Sequence, residues 1–119
     1  MIDVYLYLWN DNYKEEKDFI PEIIKIDRNQ TLKQIRDKIL EIYNFQNTDN
    51  LYIFKKMDLN QNSYTINQLR MTQEELDRSI ILNCIYENTK IYIELIGEDW
   101  KQSPQSHSKF AKVINLLYY

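Results

Sequence analysis

At 119 residues the chain has the length of one domain, and 44% hydrophobic with 28% charged residues are ordinary values for a packed globular core. A formal net charge of −3, with basic residues scattered among acids, excludes the basic stripe of a nucleic-acid binder, and no apolar run approaches the roughly 18 residues of a membrane-spanning helix. One glycine excludes a phosphate-cradling glycine loop, and one cysteine with one histidine excludes an intrachain disulfide and a closed zinc site.

Residues 2–9 alternate, with Ile2, Val4, Leu6 and Leu8 on one face and Asp3, Tyr5, Tyr7 and Trp9 on the other, which is strand periodicity. Asn10 to Asp18 reads as a turn. Residues 19–27 read as a second strand with Ile24 and Ile26 inward, and Pro21, lacking an N–H, places its beginning at an edge or bulge. Together these make a hairpin.

A helix follows. Thr31 is a good N-cap, Gln34 completes a capping box, and Leu32, Ile35, Ile39 and Ile42 form one apolar stripe that fades after Tyr43, with Asn44 as exit. Leu51 to Phe54 form a short third strand, stopped by Lys55-Lys56. Residues 57–70, rich in Asn and Gln, read as an extended loop.

Thr72 and Glu75 frame a second capping box, with Met71 and Leu76 as a hydrophobic staple, predicting a helix over about 73–79. Ile80 and Ile85 anchor a compact turn. In residues 90–96, Ile91, Ile93 and Leu95 face in, while Tyr92 and Glu94 face out. Residues 97–109 read as a loop and Phe110 to Tyr118 as a closing strand, with a short helix as the other option. The chain opens and closes on strand patterns, as an excised domain would. A mixed sheet would cover the helix stripe, with the first strand and the 90–96 strand parallel at its centre.

This order of elements resembles the ubiquitin-like β-grasp family over most of residues 2–96. The resemblance is carried by Lys25 to Ile35 as the passage from second strand to Thr-capped helix, by Leu51 and Ile53, and by the spacing of Ile80, Ile85 and Ile91. It implies an α+β β-grasp fold with one main helix, a short second helix and an extra C-terminal strand. It also implies a single domain over 1–119, with the core at 2–96 and a C-terminal extension at 97–119. Ubiquitin ends in a conjugated Gly-Gly tail, whereas this chain runs on to Tyr118-Tyr119, so conjugation is not expected. Where ubiquitin carries its apolar binding patch, this chain has Tyr52, Tyr92 and Glu94. The Tyr-Leu-Tyr-Leu-Trp opening, residues 93–98 and the closing segment are similar to ubiquitin-like domains embedded in large ubiquitin-specific proteases. In such enzymes these domains position or activate the catalytic domain or recruit partners.

Candidate chemistry is sparse. His107 with Ser106 or Ser108 and a distant Asp99 could sketch a nucleophilic site, but a loop of neighbours lacks an oriented base and an oxyanion hole. Cys84, between Asn83 and Ile85, reads as a buried, inert thiol. Glu74, Glu75 and Asp77 complement a helix dipole. Asp58, Asn60 and Asn62 have the spacing of a calcium loop's first ligands but lack its glycine and distal glutamate. Asn29-Gln30-Thr31 fits a glycosylation acceptor and reads as chance.

The outward aromatics carry more. Tyr5, Tyr7, Tyr52 and Tyr92, with Glu94, form the expected partner-binding face, in company with Trp9. The competing readings are that the C-terminal segment or the 57–70 loop covers these side chains, or that they dock on a neighbouring domain. The expected function is a non-catalytic protein-interaction or regulatory module, cytoplasmic or nuclear, without cofactor, metal, nucleic acid or membrane. Its partner would be a catalytic domain or another ubiquitin-pathway protein. The alternatives are a Ras-association or PB1-like domain using Lys25, Arg28 and Lys33, or a small structural subunit of a larger complex.

Overall fold

The computed structural model describes residues 1–46, 51–60, 63–95 and 108–114. Strands β1 (Ile2–Leu8) and β2 (Glu22–Ile26) form an antiparallel hairpin in which Val4 faces Ile24 and Ile2 faces Ile26. Helix α1 (Leu32–Tyr43) follows. Strands β3 (Leu51–Asn60) and β4 (Ser63–Gln68) form a second hairpin, then come helix α2 (Gln73–Asp77), β5 (Thr89–Leu95) and helix α3 (Lys109–Ile114). Among the described residues the sheet runs β2-β1-β5-β3-β4. β1 and β5 are its parallel pair, with Leu6 beside Ile91 and Leu8 beside Ile93. A hairpin, a helix laid across one face and a return through a central parallel strand make the ubiquitin-like β-grasp.

The capping box forms as the spacing predicts. Gln34 Oε1 accepts the Thr31 N–H at 2.9 Å and also meets the Thr31 hydroxyl. At the other end Asn44 takes the left-handed conformation, φ 57°, and its N–H donates back to Glu41. Between these ends Leu32, Ile35 and Ile39 are wholly buried. They pack with Ile2, Val4, Leu6, Ile24, Ile26, Ile53, Ile91 and Ile93 from the sheet, and with Ile80 and Ile85 from the turn. Residues 78–80 brace the entry to α1: the Leu32 N–H donates to Arg78 and the Ile80 N–H to Gln30.

Several expectations are corrected. Lys55-Lys56 does not end β3. The Lys55 stem lies in the core and its ammonium donates to the carbonyls of Asn83 (2.6 Å) and Cys84 (3.2 Å), so the strand passes a lysine without an unpaired buried charge. The strand runs on to Asn60 and pairs with β4, from Phe54 opposite Gln68 to Asn60 opposite Ser63. Much of the expected 57–70 loop is therefore a hairpin. Its Asn- and Gln-rich sequence hides the strands, because backbone pairing supplies what propensity does not. Asp58 and Asn60 stand in this extended ladder and not in a loop that wraps a cation; Asn62 lies outside the described residues.

The extra C-terminal strand is, over its described part, the helix α3, packed on a face of the sheet and not added to an edge. β2 begins at Glu22, and Phe19 belongs to the opposite face. α2 ends at Asp77, two residues early, capped through Thr72, whose hydroxyl accepts the Glu75 N–H. Ile42 and Leu95, expected inward, are 38% and 56% exposed; both stand at the C-terminal ends of their elements. Cys84, expected buried, is exposed with φ 55°, a left-handed turn residue.

Candidate functional site: the aromatic face and its helix

The chemically dense part of the molecule lies on the sheet face opposite α1. Strand alternation places Tyr7 on β1, Tyr92 on β5, and Phe54 and Tyr52 on β3 on that face. Register makes Tyr7 and Tyr92, and Phe54 and Tyr92, direct cross-strand neighbours. The rings stack accordingly: Tyr7 on Tyr92 at 5.1 Å, Tyr92 on Phe54 at 5.3 Å, and Phe54 on Tyr52 at 4.8 Å between centroids. Trp9 continues this row, its N–H extending the parallel ladder to Ile93. Phe19 packs against Trp9 and Tyr13 from the loop after β1.

α3 closes over this ladder. Phe110 is its plug, fully buried, with its ring 4.9 Å from Tyr92, 4.8 Å from Phe19 and edge-on to Trp9 at 5.1 Å. Tilted and edge-to-face contacts of this kind add about 0.5–1.5 kcal/mol each beyond area burial. Val113, one turn on, packs on the same cluster.

Beside the plug stands Glu94, a wholly buried carboxylate on β5. Its Oε1 accepts the Ser108 hydroxyl at 2.6 Å and the Phe110 N–H at 2.9 Å; its Oε2 accepts the Lys109 N–H at 2.9 Å. The sheet thus supplies the cap that satisfies the first amides of α3 and complements the positive end of its dipole. At the rim Asp11 accepts the Trp9 indole N–H at 2.6 Å and lies 3.6 Å from the Lys109 ammonium. Those two contacts, the indole bond first, hold the Asp11 carboxyl below its usual range.

Of the expected binding residues, the structure brings Tyr7, Tyr52, Tyr92 and Glu94 together on this face, but the expected exposure fails for three of them. Tyr52, Tyr92 and Glu94 are 0%, 2% and 0% exposed, because the two tyrosines pack in one cluster with Phe54, Phe19 and Phe110 and Glu94 is bound by Ser108 and the first amides of α3, contacts that strand alternation does not register. Tyr5 lies at the margin, opposite Ile23 on the edge strand β2. Sequence reasoning missed Phe110 as the plug, Phe19 as its wall and Ser108 as a partner of Glu94. Phe110 and Val113 at a three-residue step were the available signal. Ser106, His107 and Asp99 lie outside the described residues, and Ser108 is buried against Glu94. Glu74 and Glu75 pair with Arg78 at the surface, at 2.9 and 3.5 Å. Among the described residues, no group of three or more His, Cys, Asp or Glu side chains could hold a metal ion, and no helix is long and apolar enough to cross a membrane.

Among solved structures, the chain is similar to the C-terminal ubiquitin-like domain of mouse tubulin-specific chaperone e. The TM-score is 0.48 at 7% identity, over 81% of this chain and 89% of that one. No family model and no curated protein matches the sequence. The β-grasp assignment rests on the strand order and register described above.

Proposed function

We propose that the chain is a non-catalytic ubiquitin-like interaction module that serves within a ubiquitin-specific protease, or another ubiquitin-pathway protein of the cytoplasm or nucleus. The observation that carries the reading is the use of Glu94. A buried carboxylate beside aromatic rings is where an acid-base site would be sought, yet both its oxygens bind the chain's own α3. The side chains with most chemistry in them thereby serve packing within the chain. Apolar surface for a partner remains at Ile20 and Ile23 beside β2, and at Ile81, Leu82 and Tyr86 in the turn before β5, where Leu82 is 71% exposed. The test is a titration of the isotope-labelled full chain with ubiquitin-specific protease catalytic domains and with ubiquitin receptors. The reading expects amide shifts clustered at one of those two patches or at the margin of the aromatic face. If no such partner moves any amide, the assignment is wrong.

A Ras-association or PB1-like role is favoured by one feature. A groove of about 350 Å³ between β2 and α1 is lined by Lys25 and Lys38, with Asp37 and Glu41 of opposite charge beside Gln30 and Gln34. Lys25 is engaged by Asp3 at 3.0 Å, so a partner acid would have to displace a surface pair of small worth. Reversing charge at Lys25 and Arg28 abolishes binding only under this second reading.

A further inference from the structure

We propose that the aromatic face is a receptor for a short helix of defined first turn, that α3 is its occupant in the isolated chain, and that a partner helix of the same chemistry binds there by exchange. The specification comes from the seated occupant. Glu94 reads two consecutive backbone N–H groups and one hydroxyl, all within 2.9 Å, which is what the start of a helix preceded by Ser or Thr presents. Phe110 fills a slot walled by Tyr92, Phe19, Trp9 and Phe54, and at that position the ring chemistry asks for phenylalanine. Between these two, Lys109 reaches Asp11, so a basic residue there is matched by charge. Val113 adds an aliphatic contact one turn later. The partner's chemistry is therefore a helix opening hydroxyl–basic–phenylalanine, with an aliphatic residue three positions after the phenylalanine.

The exchange is chemically plain because α3 contributes no strand to the sheet. The ladders β2-β1-β5-β3-β4 close without it, and the core of Ile35, Ile39, Ile91 and Ile93 lies on the other face. Departure of the helix leaves both intact and bares one buried carboxylate beside a row of rings, which is a recognition surface and not an unfolded chain.

The proposal depends on the interaction-module reading only for the existence of a competing partner, and its test needs none. The probe is a fluorescent peptide with the sequence of residues 106–119, titrated into the full chain and into the full-length Phe110→Ala variant, followed by anisotropy. The variant, with its plug removed, is expected to bind the peptide at least ten-fold tighter than the parent chain does. A peptide carrying the same Phe110→Ala change is expected not to bind. Equal binding to both chains, or binding to neither, overturns the proposal. Hydrogen exchange on the unaltered full chain provides an independent measurement: the amides of Lys109 and Phe110 should exchange at least ten-fold faster than those of Ile91 and Ile93. If α3 is protected as strongly as β5, or if Phe110→Ala loses the fold, α3 is core and not ligand. Failure of the protease-domain titration leaves these outcomes untouched.

Discussion

Replacing Glu94 by glutamine tests the cap directly, because it keeps size and shape while removing one acceptor and the charge. In the native arrangement Oε1 serves two donors and Oε2 serves the Lys109 N–H. Glutamine can keep its oxygen toward Ser108 and Phe110, but its amide then sets an N–H donor against the Lys109 N–H. A hydrogen bond to a charged group is worth about 1.5–3 kcal/mol, and the two remaining bonds fall to neutral strength, roughly half of that. Relief of the buried charge does not recover the loss, since three donors already replace the water the carboxylate gives up. The docking of α3 should weaken by about 3–6 kcal/mol, or roughly 150- to 25,000-fold in its opening equilibrium. Native-state hydrogen exchange at Lys109 and Phe110 measures this, with Ile91 and Ile93 in β5 as internal references. An opening equilibrium for α3 that changes less than about three-fold would refute the idea that Glu94 holds the helix.

Four other perturbations have outcomes that the packing and the charges dictate. Ile35→Ala, at a wholly buried position of α1, should cost about 2–5 kcal/mol in urea unfolding. Asn44, at φ 57°, should accept glycine with a change of only a few tenths, while valine there costs about 1–2 kcal/mol; thermal melts separate the two. The Asp11 carboxyl sits below its usual 3.8 through the Trp9 and Lys109 contacts. Its contribution is present above that value and is lost as pH falls through the lower folded value. The Trp9 indole proton resonance should therefore shift with a midpoint below 3.8, and should not in Asp11→Asn. Burial, aided by the Glu22 charge, pushes the Tyr43 hydroxyl up from 10 to about 12. An unfolded chain loses that proton first, so the contribution is complete below pH 10 and disappears as pH rises through about 12. At pH 11 Tyr43→Phe should narrow the loss of stability that the parent chain shows relative to neutral pH.

Two layers of the molecule were written in the sequence and a third was not. The Thr31 cap, the Leu32–Ile35–Ile39 stripe and the alternation of Ile2, Val4 and Leu6 each specify an element and its buried face by local spacing alone. A hairpin, a helix and two strands with those faces leave few ways to close a sheet, so the parallel β1–β5 pair and the fold class were legible from the chain alone. What local spacing cannot register is which outward face receives a cover. Tyr52, Tyr92 and Glu94 alternate as exposed residues should, yet all three are buried: the rings share a cluster with Phe19 and Phe110, and Ser108 with the first amides of α3 engages Glu94. For the same reason Lys55 looks like a strand terminator until the carbonyls of Asn83 and Cys84 stand ready for its ammonium. Periodicity depends on the residues next along the chain. Burial depends on what the rest of the chain brings across space, and for the aromatic face tertiary packing alone decided it.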